Sequence, residues 1–311
     1  MGATRRPRSP RPDRLMPGQK QHHTVPRSYL AGFAQGGTLS CVDVRTERQF
    51  GISTRDATTA RYFYAIPEAD EPNAFEDALA VVDGTYPKLR TEIEKGVWPL
   101  PSSERDELAN FIAVQVTRGR DHRHQLGEQL MRELRDMATG EPEEFAALLA
   151  LPGAPSAEVV HADQLPPLFV QQAHLLQMIL AGLSVPDMLK ARRWDLYVFD
   201  KPALITSDAP VAPVPDAALG GDAPLGLENA LAIQFPLTRS IGLRMRRVDA
   251  EVDATDGHAD RQLPGSELIG RAFNIHTVFH SHQQLYHHPE DRDLVPEDYQ
   301  NLARMGGRTR L

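Results

Sequence analysis

Three places in the chain put chemically demanding side chains where the surrounding pattern calls for apolar ones. His22 and His23 stand in "QHHTVPRSYLAGFA", just ahead of Pro26 and a short apolar run. A neutral imidazole can serve as general base, metal ligand or hydrogen-bonding anchor for backbone, and adjacent side chains point in different directions, so one of the two at most faces any single site. In "ELANFIAVQVTRGRDHR", Leu108, Phe111 and Ile112 form a stripe at helical spacing whose next positions are Gln115 and Arg118, followed by His122. A buried guanidinium without a partner costs several kcal/mol, so Arg118 calls for a carboxylate or an anionic ligand; the alternative is a stem that snorkels near the helix end. In "ALITSDAPVAPV", Ser207 and Asp208 close an apolar strand ahead of Pro210. That is turn chemistry, or a loop carboxylate presented as acid, base or ligand.

Two further groups fit the same chemistry less tightly. Glu76 and Asp83 lie seven residues apart, on nearly one helical face, with Asp77 beside them. Such acids suit a metal, a buried arginine or plain solvation. His276, His280, His282, His287 and His288 cluster late in the chain, and the first two have ligand spacing if one helix carries both. With the helix ending near Val278 and polar residues around them, these read as surface histidines. No metal-ligand set is assigned and the cofactor stays unknown; no phosphate loop, GxSxG elbow, HExxH helix or CxxC pair is present.

The elements that must position these residues follow from periodicity. "VPRSYLAGFA" makes one or two helical turns stopped by "QGG"; "TLSCVDVRTERQFGIS" alternates as a hairpin, and "ATTARYFYA" is a third strand candidate. From residue 73 the period becomes 3.6, with Asn73 placed to cap a helix that Gly84 and Pro87 bend or break. A second, long helix follows, from a cap at Ser103 to a stop at Gly140, with a bend expected near Gly119. A short helix, "EPEEFAALLALPGAP", and a strongly apolar one, "PPLFVQQAHLLQMILAGLSVPDMLKAR", follow. From Trp194, "WDLYVFD", "ALITSDAPVAPV" and "LAIQFPLTRSIGLRM" read as short strands, and a helix capped by Ser266 follows. The fold class is α+β, a predominantly helical middle flanked by short antiparallel strands.

Composition bounds the partners. The 311 residues carry 34 Lys+Arg against 42 Asp+Glu, a formal charge of −8, so a nucleic-acid site has to be a local patch. Residues 1–18, with Arg5, Arg6, Arg8, Arg11 and Arg14 among prolines, read as a disordered basic tail, and residues 19–311 as a single α+β domain. No apolar stretch follows the paired arginines and none of about 18 residues occurs elsewhere, so no membrane partner is expected and the location is cytoplasmic. The one cysteine, Cys41, reads as a strand residue without chemistry.

Two resemblances add to this reading. "HHTVP" is similar to the "HxVP" fragment of HNH-type nucleases, in which a histidine is a general base beside a metal. More broadly, "QHHTVPRSYLAGFA", "FEDALAVVD", "FIAVQVTRGRDHR", "ALITSDAPV" and "QFPLTRSIGLRM", in that order, resemble the bacterial family catalogued as domain of unknown function 4238. The resemblance places that family's opening motif on His22 or His23, Pro26, Leu30 and Phe33, its helix motif on Gln115 and Arg118, and its turn on Ser207, Asp208, Pro210 and Val211. Ala209 stands where the family has Asn, and Asp83 where Glu is commoner. The family implies an architecture and these positions, without an activity.

Two functions fit. One is a hydrolase acting on a phosphodiester or other anionic substrate, with His22 or His23 as base or metal ligand, Asp208 or Glu76 as a second ligand, Arg118 neutralising the transition state, and Gln115 and Ser207 holding substrate. It requires convergence within a few ångströms. The other is a non-enzymatic binding or regulatory module in which the same residues form a buried network tying the N-terminal segment, the helical middle and the C-terminal strands together.

Overall fold

The structure is a computed structural model and describes residues 21–66, 69–151, 154–161, 165–216, 225–248 and 259–306. The basic tail and most of the Gly/Pro-rich stretch after residue 216 lie outside the described residues. The described chain runs β1 (Gln21–His23), α1 (Arg27–Leu30), β2 (Thr38–Asp43), β3 (Gln49–Ser53), β4 (Thr59–Arg61), α2 (Ala74–Glu94), α3 (Ser102–Thr117), α4 (Arg120–Gly140), α5 (Pro142–Leu149), α6 (Ala157–His161) and α7 (Pro167–Lys190). It continues with β5 (Arg193–Val198), β6 (Thr206–Ser207), β7 (Ala212–Val214), β8 (Ala232–Thr238), β9 (Ile241–Arg246), β10 (Arg261–Pro264), α8 (Glu267–His280), β11 (Gln284–His287) and α9 (Tyr299–Gly306). Helices fill the middle and strands flank them, an α+β fold.

The strands form three sheets. One has the order β10–β5–β9–β8–β7, antiparallel except for the parallel pair β10–β5; the second is antiparallel, β3–β2–β11–β6; the third is the small pair β1–β4. The second sheet joins the two ends of the chain, since β11 pairs with β2 on one side and β6 on the other. The predicted hairpin is present, with Leu39 opposite Ile52 and Val42 opposite Gln49. Between the sheets lies one apolar cluster drawn from the N-terminal segment (Tyr29, Phe33), the helical middle (Tyr86, Phe111) and the later strands (Phe235, Leu243). Two tyrosines complete it with polar ends: Tyr29 Oη donates to the Pro236 carbonyl at 2.7 Å and also meets the Thr206 hydroxyl, and Tyr86 Oη donates to the Leu237 carbonyl at 2.6 Å.

Helix α2 runs unbroken through Pro87. Proline has no N–H for the carbonyl four residues back, so the Asp83 carbonyl is released, and Ser28 Oγ of α1 donates to it at 3.4 Å. Asn73 makes no side-chain cap, whereas Ser266 accepts from Ile269 N as expected. The long second helix is two helices: it stops at Thr117, starts again at Arg120, and Gly119 between them is extended. A Cβ at 119 would meet the Asp121 carboxylate, which folds back over the junction, so a larger residue there would have to push that side chain aside. Ser103 lies inside α3, after Pro101 at its N-cap, and donates to Glu104 instead.

Helix α7, the strongly apolar helix that the sequence pattern marks, is the one described helix long and apolar enough to cross a membrane by length and composition, although no such apolar stretch was expected. One side packs through buried His174, Leu175, Met178 and Leu189, while Leu176, Ile179, Leu180 and Leu183 are exposed.

Candidate functional site

The α3–α4 junction is the place where most of the expected residues meet. Arg118 ends α3 with its side chain 1 % exposed. Its Nη1 donates to Asp83 Oδ1 at 2.6 Å, and its Nε donates to the His23 carbonyl at 3.0 Å and to Tyr64 Oη at 3.3 Å. The Tyr64 hydroxyl in turn donates to the Arg118 carbonyl at 3.1 Å. The carboxylate that Arg118 required is therefore Asp83, one member of the heptad-spaced acid pair, and the guanidinium is neutralised inside the chain. Burial pushes the Tyr64 phenol well above its ordinary range although Arg118 opposes the shift.

The two histidines part company here because strand neighbours face opposite ways. They lie in β1 rather than in a lead-in to α1, paired with β4. His22 is fully buried, stacks on Tyr64 with ring centroids 5.7 Å apart, and accepts the Tyr64 backbone N–H on Nδ1 at 3.0 Å. Its acceptor lone pair is spent. His23 bonds the Ala57 carbonyl through its ring, and a carbonyl only accepts, so that nitrogen carries the proton. Nδ1 is a buried acceptor without a hydrogen-bond partner among the described residues, and burial followed by the charge of Arg118 lowers the ring below its ordinary pKa. Glu76, in the first turn of α2, also places a buried oxygen, Oε2, without a described partner, and burial lifts its carboxyl to about 7 against the pull of Arg118. Arg118, Asp83, Glu76, His23 and Tyr64 thus form one electrostatic cluster.

A raised carboxyl binds its proton more tightly in the folded state, so its stabilising contribution is present below the ordinary carboxylate range and is lost as pH rises through about 7. Glu76→Gln is expected to match the parent at about pH 4 and to exceed it by about 1–2 kcal/mol at about pH 8, the figure being reduced for partial exposure. Urea unfolding at the two pH values checks it; a variant less stable than the parent at both would show that Glu76 is held as a paired carboxylate.

Asp208 stands apart from this cluster, just after β6. Its carboxylate accepts from the backbone N–H groups of His282, Gln283 and Gln284 at 2.9–3.0 Å, so it organises the turn between α8 and β11. Ser207 Oγ closes a local turn, donating to the Ala209 carbonyl and accepting from Ala209 N. The turn reading of this segment is what the geometry supports. Burial lifts the Asp208 carboxyl to about 7, and the strongest charge acting on it is Asp121, itself lifted to about 6 by burial at the start of α4.

A cleft of about 550 Å³ opens on the Asp121 side of the junction. Gln115, Asp121, His122, Ser281, Arg45, Glu128 and Arg304 are among the residues that line it. Gln115 is 4 % exposed; its Nε2 donates to the Phe111 carbonyl at 3.5 Å, while Oε1 has no described partner. His122 Nε2 meets Gln177 Oε1 at 2.9 Å, and behind it His174 meets the Thr117 carbonyl at 2.7 Å and accepts from Arg123, fixing α3, α4 and α7 together.

The late histidines are not a surface cluster, because α8 runs on to His280 and packs over β7 and β8. His276 is bonded to Gln234 and His280 to the Pro213 carbonyl, while His287 and His288 are 2 % and 5 % exposed. Among the described residues no group of three His, Cys, Asp or Glu side chains is arranged to hold a metal ion. Cys41 is buried in β2, its thiol pushed up to about 12 by burial and the nearby carboxylates.

Tyr64 and Asp121 were not singled out by the sequence pattern. Tyr64 was hidden in an aromatic-rich run, and Asp121 announces itself only through the Gly-x-Asp spacing of a helix start.

The class defined by this arrangement is an α+β protein with a sealed His–Tyr–Arg–Asp–Glu cluster on one side of a helix junction and an open polar cleft on the other. The chain belongs to the family described as Protein of unknown function (DUF4238), whose model matches residues 21–291 and so includes the whole His–Tyr–Arg–Asp–Glu cluster and the cleft up to His282, but not Arg304. No curated protein and no solved structure matches the chain.

Proposed function

We propose that this chain is a ligand-binding or regulatory module, bacterial and cytoplasmic, in which His22, Arg118, Ser207 and Asp208 hold the fold around a cleft that Gln115 lines, rather than perform a reaction. The observation that carries this reading is the spending of both charges meant for catalysis: Arg118 is neutralised by Asp83 at 2.6 Å, and the Asp208 carboxylate is filled by three backbone amides. A guanidinium so paired has little left to offer an anionic transition state. The network also ties β1, α2 and α3, the tie between segments that a binding module needs to hold a cleft open.

A second reading, an acid–base hydrolase, is favoured by one observation: the His23 Nδ1 lone pair beside Glu76 and Arg118. Here His23 is the base that takes a proton from water, and Glu76, protonated near neutrality, gives one to the leaving group.

The two separate on one assay. Bis(p-nitrophenyl) phosphate, single-stranded RNA and single-stranded DNA are offered to the parent and to His23→Ala, with midpoints of thermal unfolding measured alongside. The module predicts no turnover by either protein. Turnover by the parent that disappears in His23→Ala at an unchanged midpoint would sink the module and install the hydrolase.

A further inference from the structure

We infer that the exposed face of α7 is the contact between two copies of this chain, an antiparallel pair of α7 helices in which Leu176, Ile179, Leu180 and Leu183 of one copy meet the same four residues of the other. The dimer stands whether or not the cleft binds a ligand.

Single exposed leucines are ordinary, but four large apolar side chains on two turns of one helix are not. Leu176, Ile179, Leu180 and Leu183 are 58 %, 51 %, 56 % and 74 % exposed and stand at the spacing of a stripe that packs on another surface. No Asp, Glu, Lys or Arg occurs between Pro167 and Pro186, so no charge interrupts the stripe. Helix α4 is the contrast, with Arg132, Glu133, Arg135 and Asp136 on its exposed positions. The α7 face is also its own complement. Its exposed positions Gln172, Leu176, Ile179, Leu180, Leu183 and Asp187 fall in pairs about a point between Ile179 and Leu180. A two-fold axis through that point sets Ile179 on the partner subunit's Leu180 and Leu176 on the partner subunit's Leu183. At each end it brings the Gln172 amide, a donor, to the partner subunit's Asp187, an acceptor whose side chain is 79 % exposed. The four apolar side chains leave on the order of 300 Å² in water, so two copies remove on the order of 600 Å², the size of a weak, reversible contact.

The other occupant an apolar helix face can take is lipid, and α7 is poorly built for it. Three ties hold the helix from behind, and crossing a bilayer would break them: His174 to the Thr117 carbonyl, Gln177 to His122, and Gln171, which donates to the Ala65 carbonyl. A helix that lies on a membrane carries Lys and Arg beside its apolar face. The stripe of α7 ends instead at Asp187, and the one ammonium nearby, on Lys190, is taken by Asp106 and Asp187.

The test is sedimentation velocity of the full chain from about 1 to about 200 μM, the range in which a contact of this size associates. The parent is expected to show a reversible monomer–dimer equilibrium. Leu180→Glu sets two carboxylates beside the axis and should raise the dissociation constant at least about tenfold, with the far-UV circular dichroism of the parent. Leu183→Gln, at the most exposed of the four positions, should weaken the dimer in the same direction and serves should Leu180→Glu fail to fold. The direction of the pair is read from cysteines: under copper–phenanthroline oxidation a mixture of Leu176→Cys and Leu183→Cys proteins should form a linked dimer faster than either protein alone, Cys41 being buried. A parent that stays monomeric throughout, or a dimer undiminished in both variants, overturns the assignment. So does faster linking of Leu176→Cys to itself, which an antiparallel pair forbids. Binding of a monomeric parent to neutral phosphatidylcholine vesicles, lost in Leu180→Glu, gives the face to lipid and overturns it as well.

Discussion

Asp83→Ala is expected to lower the unfolding free energy by about 3 kcal/mol, toward the lower end of what breaking a buried ion pair costs. The substitution strands the Arg118 guanidinium, 1 % exposed, without the carboxylate now 2.6 Å from its Nη1. Glu76 acts on the same guanidinium and takes up part of the loss by ionising more readily, which is why the lower end is expected. Removing the other partner is cheaper in charge terms: the Asp83 side chain is 20 % exposed and reaches water once Arg118→Met has taken the cation away. The combination Arg118→Met with Asp83→Ala leaves no stranded guanidinium and should be more stable than Asp83→Ala alone. Urea denaturation of the four proteins closes the cycle. A loss below about 0.5 kcal/mol in Asp83→Ala, the level of an ordinary surface change, would mean that Arg118 finds solvent or another acid and that the cluster is not sealed.

Asp208→Ala is expected to cost about 2–4 kcal/mol, because three backbone donors lose one charged acceptor together. The turn they form feeds β11, and β11 is the strand that joins β2 to β6, so the damage should be local before it is global. Hydrogen exchange at the amides of 282–286 should rise well before that of β8 and β9. Asp208→Asn keeps a carbonyl oxygen and relieves the repulsion from Asp121, so it should lose less than half as much. Equal losses in the two variants would show that the carboxylate's charge, rather than its acceptor geometry, holds the turn.

Local pattern reaches a definite distance into this protein. The period-2 alternation of 39–52 is the β2–β3 hairpin, and Ser266 caps α8, because both depend on neighbours in the chain. The polar positions on the apolar stripe of α3 are buried, and the demand that Arg118 be paired follows from the cost of a naked charge alone. The failures share one cause. β1 is three residues whose partner strand lies beyond a whole hairpin, so no local period reveals it, and with it goes the fact that His22 and His23 face opposite ways. The late histidines look solvated by composition, yet α8 and β11 are each covered by elements far off in sequence. Pro87 sits inside α2 without breaking it because Ser28 takes up the carbonyl it releases, a contact from another helix.

The amino-acid sequence by itself determined the α+β class, the core stripes, the need for a partner at Arg118 and the short set of polar residues worth watching. These follow from periodicity and from desolvation, which act over a few residues or on one group at a time. Only the tertiary structure decided that Asp83 and not Asp208 neutralises Arg118, that His23 and not His22 keeps a lone pair, and that Gln115 and Asp121 share a cleft. Which donor meets which acceptor is fixed by the packing of α2, α3 and the β2–β11 sheet, and pairing in space carries no signature in spacing along the chain.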